Sequence, residues 1–470
     1  MVNPYKTHWY HRQLAHWLHK SPGRDAGTTR QPEYIRLVPA DGTTPSALPP
    51  VRIFLGTEPR QYRATRVFVW SVMRTRDPSR AYEIHLMSNL AGIPRDGWKT
   101  GFTNYRYMIP DLAGRSGRAI YNDVDQIYLT DPAKLFDMEM GGKGVLAISQ
   151  ADNSVMLIDC AVMAGLWTRN DVAAGRKHAH FKDTMTARGL LGELPESWNA
   201  RDGALPLEQS DCLHYTTLHT QPWKPFPEQL RYAPHPLAGI WRNLEREADE
   251  AGFLLFTSRT PSAEYGELVD LYRRMHEGDA KLHNPDDADP FTGRRLAKHA
   301  GGIATLIAET GSNSVLDYGA GKGEGYMQLP GEPAGSAWRR HPAWGEAKVR
   351  LYDPGHAPIA HLGDETCDGV ISTDVVEHLA PFDAPWVIDQ MFSRARKFVY
   401  IVAASYPADA VLPDGRNAHT IQQPPHWWQM QMELAARRYP HLRWQLVCET
   451  KGPFGKRRTV IDATTPSALD

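Results

Sequence analysis

Cysteine is scarce in this 470-residue chain. Cys160, Cys212, Cys367 and Cys448 lack both the pairing of a disulfide framework and metal-ligand spacing, so a reducing compartment is expected. An excess of either charge is missing too: 53 Lys and Arg face 54 Asp and Glu, for a formal net charge of -1. Without a basic field, a nucleic-acid backbone is not an expected partner. No apolar run approaches the ~20 residues that cross a bilayer, and no signal-peptide core opens the chain. A cytoplasmic protein without a transmembrane segment is therefore expected, which leaves peripheral membrane association open. The two halves do not repeat one another.

What is present is ordinary globular material, 41% hydrophobic and 23% charged, long enough for two or three domains. Residues 1–50 read as an N-terminal helix (YKTHWYHRQLAHWLHK) and a linker rich in Gly, Pro, Ser and Thr. His8/His11 and His16/His19 sit three apart within that helix; a docked amphipathic segment is favoured there over a metal site. From VRIFLG at 51–56, strands alternate with helices, which predicts a mostly parallel sheet covered on both faces over 51–250. The polar stretch 276–292, HEGDAKLHNPDDADPFT, is a boundary or a long entry loop. A second α/β region is placed at 260–470, with SVLDYG, KVRLYD, GVISTD, KFVYIVA, RWQLVCE and RRTVIDA as strands. GPFGK joins the last two as a hairpin.

In the second region, Gly319, Gly321 and Gly323 of VLDYGAGKG follow a strand directly, where glycine permits positive φ and close approach of a ligand to backbone. Such a turn is shared by several nucleotide-binding folds. Asp353 ends the next strand, where a carboxylate can accept from both ribose hydroxyls, and DGVISTDVVEHL at 368–379 carries an acidic residue, a strand and an EHL step into a helix. Together these residues resemble class I S-adenosylmethionine (SAM) dependent methyltransferases of the small-molecule branch. The resemblance covers about 293–465 and implies a seven-stranded Rossmann-like sheet. It implies that Asp317 and Gly319 line the methionine part of SAM, Asp353 holds the ribose, and Ser372, Thr373 and Asp374 flank the site. An acceptor hydroxyl would need a base; His419 is preferred and His378 is the alternative. Trp427 and Trp428 could stack on an acceptor or form a core pair.

In the first region, Asp123 and Asp125 of AIYNDVDQIYLTDP end an apolar strand, where a divalent cation between them can grip a diphosphate. FLGTEPRQY, YRYMIPDL, NSVMLIDC and HYTTLHTQPWKPF surround that motif in order. The arrangement resembles family 8 glycosyltransferases, the glycogenin-like group with a GT-A fold, over about 51–245. By that resemblance, Asp123, Asp125 and His214 coordinate Mn²⁺ or Mg²⁺, with His219 as the less favoured ligand. Arg106 would contact the donor phosphates, Asn153 the donor sugar, and Tyr62 the uracil ring.

The expectation is thus an α/β chain of two Rossmann-like domains in tandem, a bifunctional transferase. One domain would move a sugar from a nucleotide-sugar donor to a glycan or glycolipid; the other would O-methylate a sugar with SAM. The alternative is an active methyltransferase carrying a non-catalytic glycosyltransferase-like binding domain.

Overall fold

The computed structural model describes residues 29, 31–95, 98, 100–278, 281–282, 291–333, 335–452 and 455–469. The N-terminal helix expectation, with His8, His11, His16 and His19, lies outside the described residues, as does much of the 276–292 stretch. The chain divides into two compact units, Met1–Leu255 and Phe256–Asp470.

The first unit holds strands β1 (Glu33–Leu37), β2 (Val51–Gly56), β3 (Tyr82–Met87), β4 (Arg118–Asp123), β5 (Gln126–Tyr128), β6 (Val145–Ala147), β7 (Val155–Asp159), β8 (Leu191–Glu193), β9 (Ala200–Arg201) and β10 (Cys212–His214). Its main sheet runs β1-β3-β2-β4-β7-β6-β8, and a small sheet runs β5-β10-β9. The expected mostly parallel sheet is instead mixed: β2 is parallel to β3 and β4, whereas β7 is antiparallel to both β4 and β6. The expected linker also contributes β1, which pairs antiparallel with β3 at the edge, burying Ile35 and Leu37 while Tyr34 and Arg36 face out. That alternation is what a half-covered edge strand requires.

Helix α1 (Tyr62–Thr75) is buried along most of its length, and two of its arginines are buried with it. Arg63 forms a two-pronged pair with Glu245 of α2 (Ala238–Glu250), Nε to Oε1 and Nη2 to Oε2 both at 2.7 Å. Arg66 binds Asp249 of the same helix at 2.6 Å. The planar guanidinium fork suits this paired burial. The apolar strand expected to end on Asp123 and Asp125 stops at Asp123, partway through RAIYNDVDQIYL. β4 ends there, the backbone turns through Val124–Asp125, and β5 joins the small sheet. Asn122 braces the turn by donating to Gln126 Oε1 and accepting from Tyr128 Oη, each at 2.8 Å.

The second unit holds α3 (Ala263–His276), β11 (Lys281–Leu282), α4 (Ala300–Thr310), β12 (Ser314–Tyr318), β13 (Met327–Gln328), β14 (Trp338–Arg340), β15 (Lys348–Tyr352), β16 (Cys367–Thr373), α5 (Ala384–Arg394), β17 (Ala395–Ala404), β18 (Ala410–Val411), α6 (Pro425–Arg438), β19 (Arg443–Gly452) and β20 (Gly455–Asp462). Ser262 caps α3 by accepting from the Tyr265 N–H, and Gly311, at φ 56, ends α4. The sheet runs β13-β14-β15-β12-β16-β17-β19-β20. Strands β15, β12, β16, β17 and β19 are parallel, and β20 returns antiparallel as the expected hairpin.

Eight strands therefore replace the seven expected. Six of the eight are the strands read from the sequence, and two come from the stretch between the glycine turn and Asp353: Trp338–Arg340 pairs antiparallel with β15, and Met327–Gln328 pairs outside it. This satisfies backbone groups that β15 would otherwise leave at an edge. The chain goes from β12 to β15 on one side and later to β16 on the other. The order thus reverses at β12, and a crevice at the carboxyl ends of the strands follows from that reversal.

Candidate active sites

In the first unit the change of sheets delivers the acidic pair. Asp123 is the last residue of β4, and Asp125 lies in the turn before β5. β10 pairs antiparallel with β5, His214 opposite Gln126, which sets the imidazole beside Asp125. One ligand atom from each of Asp123, Asp125 and His214 lies within 4.8 Å of the others. His214 Nε2 is 3.1 Å from Asp125 Oδ1, and its Nδ1 is 2.8 Å from Asn199 Oδ1. An amide oxygen only accepts, so Nδ1 carries hydrogen and Nε2 is the nitrogen available to a metal. Gln221 donates to the other Asp125 oxygen at 3.2 Å.

Arg106 organises the Asp123 side. It donates to Asp123 Oδ1 at 2.9 Å and to the Asn153 carbonyl at 2.6 Å, and its guanidinium lies 4.3 Å from the Tyr121 ring centre. The Tyr121 hydroxyl donates to the same Asp123 oxygen at 2.5 Å. Burial raises the Asp123 carboxyl above its ordinary range against the pull of Arg106, and the neighbouring Asp125 adds to the rise. Burial disfavours the His214 imidazolium, but Asp125 and Asp123 outweigh it and the net shift is upward. Two carboxylates and one imidazole nitrogen at this spacing form a donor set suited to Mn²⁺ or Mg²⁺.

Asp123, Asp125, His214, Arg106 and Asn153 are thus brought together. Tyr62 is not among them: it begins α1 and is 1% exposed. Two contributors escaped the sequence reading, Asn199 and Gln221 as partners of the metal-side groups. Asn199 also donates to Asp152 at 2.9 Å, tying that carboxylate to the cluster's rim.

In the second unit a cavity of about 610 Å³ opens where the strand order reverses. Gly319, Gly321 and Asp353 line it, with Asp317, Thr373, Asp374, His378 and His419. Gly319, Gly321 and Gly323 have φ of 84, 58 and 64. A Cβ at Gly319 would meet Val375 Cγ2 at 2.3 Å, and one at Gly321 would meet the Phe291 carbonyl oxygen at 2.3 Å. Both conformation and space therefore require glycine. Asp353 is braced at the wall, Oδ2 accepting from the Gly321 N–H and Oδ1 from the Gly355 N–H, each at 2.9 Å. Asp317, 3% exposed, accepts from the Tyr326 hydroxyl at 2.6 Å, while its Oδ1 has no hydrogen-bond partner among the described residues. Burial pushes its carboxyl up to about 7. Asp374 takes a positive φ of 56 and lies 3.5 Å from Arg295. Ser372 is fully buried in β16 and does not line the cavity.

His378 and His419 meet edge-to-face with ring centres 4.9 Å apart. Burial lowers His378 to about 3 and also lowers His419, so both rings are neutral at pH 7. Trp427 and Trp428, each 1% exposed and packed edge-to-face, are a core pair rather than a stacking platform. The sequence reading missed one wall altogether. Tyr265, Leu268, Val269, Tyr272 and His276 of α3 all line the cavity. Their spacing of three or four residues marks one helical stripe, a signal that was available.

No family model and no curated protein matches this chain. Solved structures similar to it include several glycosyltransferases by name. The apo bifunctional glycosyltransferase WbbM shares 13% identity over 43% of this chain and 53% of that one, at a TM-score of 0.32. The galactosyltransferase LgtC, in complex with donor and acceptor sugar analogues, shares 13% over 42% of this chain and 96% of that one, at 0.31. GlyE of Streptococcus pneumoniae TIGR4 shares 11% over 76% and 91%, at 0.31. The chain spans about half the length of WbbM. Superpositions this loose assign neither activity nor substrate, which rest on the sites' own geometry. Among the described residues, no helix is long and apolar enough to cross a membrane.

Proposed function

We propose that this chain is a bifunctional transferase, a metal-dependent glycosyltransferase in the first unit and a SAM-dependent methyltransferase in the second. The observation that supports the first activity best is the convergence of Asp123, Asp125 and His214 from two sheets, with Arg106 beside them. Asp123, Asp125 and His214 would hold Mn²⁺ or Mg²⁺. When bound, the cation offsets charge on a departing nucleoside diphosphate. Arg106, fixed by Asp123 and by the Asn153 carbonyl, supplies a pre-oriented positive charge for the same phosphates, and Asn153 lies beside it to take the donor sugar.

In the second unit, the glycine turn and the braced Asp353 support SAM in the cavity, ribose on Asp353 and methionine end toward Asp317 and Gly319. Thr373 and Asp374 flank the cofactor at the cavity wall, with Ser372 buried behind them in β16. Methyl transfer is a direct displacement at a sulfonium carbon, so the cavity's task is to align the acceptor and exclude water. Burial lowers His378 and His419, so neither is a strong base; they line the wall that the acceptor hydroxyl faces. A sugar hydroxyl on a glycan or glycolipid is the acceptor class we infer, in a cytoplasmic setting. Joining the two activities keeps one site's product concentrated near the other. The test is turnover of a UDP-hexose with Mn²⁺ alongside SAM affinity in Asp123→Ala/Asp125→Ala. Turnover is expected to vanish with SAM affinity retained; undiminished turnover would sink the metal assignment.

A further inference from the structure

We infer that the second unit has a divalent-cation site of its own, formed by Glu377, His378 and His419 at the cavity wall. One ligand atom from each residue lies within 4.8 Å of the others. Both imidazoles are held in the same way. His378 Nδ1 lies 2.7 Å from the Ala418 carbonyl oxygen and His419 Nδ1 lies 2.5 Å from the Tyr406 carbonyl oxygen. Carbonyls only accept, so each Nδ1 carries hydrogen and each Nε2 keeps its lone pair, the arrangement that orients metal-binding histidines.

Glu377 supplies an independent indication. It is 0% exposed; its Oε1 accepts from the Ala404 N–H at 3.1 Å, and its Oε2 has no hydrogen-bond partner among the described residues. A carboxylate oxygen left bare in the interior is costly unless a proton or a cation neutralises it. The two parts of the cluster, remote in sequence, are joined through the Glu377 carbonyl, which accepts from the Ile421 N–H at 2.9 Å and from Thr420 Oγ1 at 3.1 Å. Two imidazole nitrogens and one carboxylate favour a borderline cation such as Mn²⁺, Co²⁺ or Zn²⁺ over Mg²⁺ or Ca²⁺.

His378 and His419 line the cavity, so the cation's open positions face it. Their occupant is a hydroxyl of the acceptor, a role that rests on the methyltransferase reading, although cation binding does not. Polarised by the cation, the hydroxyl releases its proton to solvent water. Its oxygen lone pair forms the bond to the SAM methyl carbon, and the carbon–sulfur pair stays on sulfur. One methyl ether, one S-adenosylhomocysteine and one proton result, with no redox change.

The test uses the metal-stripped full chain carrying Asp123→Ala/Asp125→Ala, which removes the first unit's candidate ligands. Titration with Co²⁺ alone is followed by its visible ligand-field bands, and SAM affinity is measured on the same samples. The inference expects one nitrogen-ligated Co²⁺, and an affinity more than about tenfold weaker after adding either His378→Gln or Glu377→Gln. Melting curves identify any variant that fails to fold, and the other variant then decides. No Co²⁺ bands in the folded background chain, or unchanged affinity in a folded variant, overturns the site. Co²⁺ binding without SAM binding keeps the site and removes the methyltransferase reading instead.

Discussion

Replacing Gly319 by alanine tests whether the cavity wall is built as described. The position has φ 84, and an added Cβ would lie 2.3 and 2.7 Å from the two γ-carbons of Val375. Forcing alanine into that backbone region costs ~1–2 kcal/mol. Crowding a stiff β-branched neighbour costs a further ~1–3 kcal/mol. Together, at about 2–4 °C per kcal/mol for a unit of this size, the second unit's melting point should fall by ~4–20 °C. Gly331 is the internal control: its φ is 87, yet nothing among the described residues lies within 4 Å of an added Cβ. Gly331→Ala should therefore cost only the backbone part, ~1–2 kcal/mol. Calorimetric melting of both variants separates strain from crowding, and SAM titration reports the consequence. Gly319→Ala should weaken SAM binding at least about tenfold, or ~1.4 kcal/mol. Equal melting shifts for the two variants, with SAM affinity intact in both, would refute the packing argument and the cofactor site together.

Two further outcomes follow from buried charge. Asp317 titrates at about 7 when folded, against an ordinary 3.8. Because the folded value is the higher one, the native state holds the extra proton. This stabilisation is fully present below about pH 4 and is lost as pH rises through about 7, a change on the order of 4 kcal/mol. Asp317→Asn should flatten that part of the SAM-free stability profile in urea unfolding between pH 5 and pH 8; a profile parallel to wild type would contradict it. In the first unit, Arg63→Met removes the guanidinium paired with buried Glu245 and should cost ~3–5 kcal/mol, most of it recovered by Arg63→Met/Glu245→Leu. No recovery in the double variant would show that the pair does not act as a unit.

The sequence made some of this legible and concealed the rest for physical reasons. A β-rich run followed at once by three alternating glycines announces a strand-to-ligand turn, and the structure has that turn. The break inside RAIYNDVDQIYL was hidden, because neither glycine nor proline marks it and a sheet change costs no special residue. β1 was overlooked beside its Pro- and Thr-rich neighbours, although Ile35 and Leu37 alternate with Tyr34 and Arg36 as an edge strand should. Asp123 and Asp125 could be read together from adjacency. Gln221 and Asn199 could not, because only tertiary pairing brings them near. Glu377 was passed over inside EHL because nothing local reveals that its carboxylate is buried with an oxygen bare.

The most direct test of the central claim is calorimetric titration of the purified chain with UDP-glucose and UDP-galactose, with and without Mn²⁺, and separately with SAM. The account predicts nucleotide-sugar binding that requires Mn²⁺ and disappears in Asp123→Ala/Asp125→Ala, together with SAM binding in both chains. SAM binding without any metal-dependent nucleotide-sugar signal would contradict the bifunctional reading and favour a first unit that binds without catalysing.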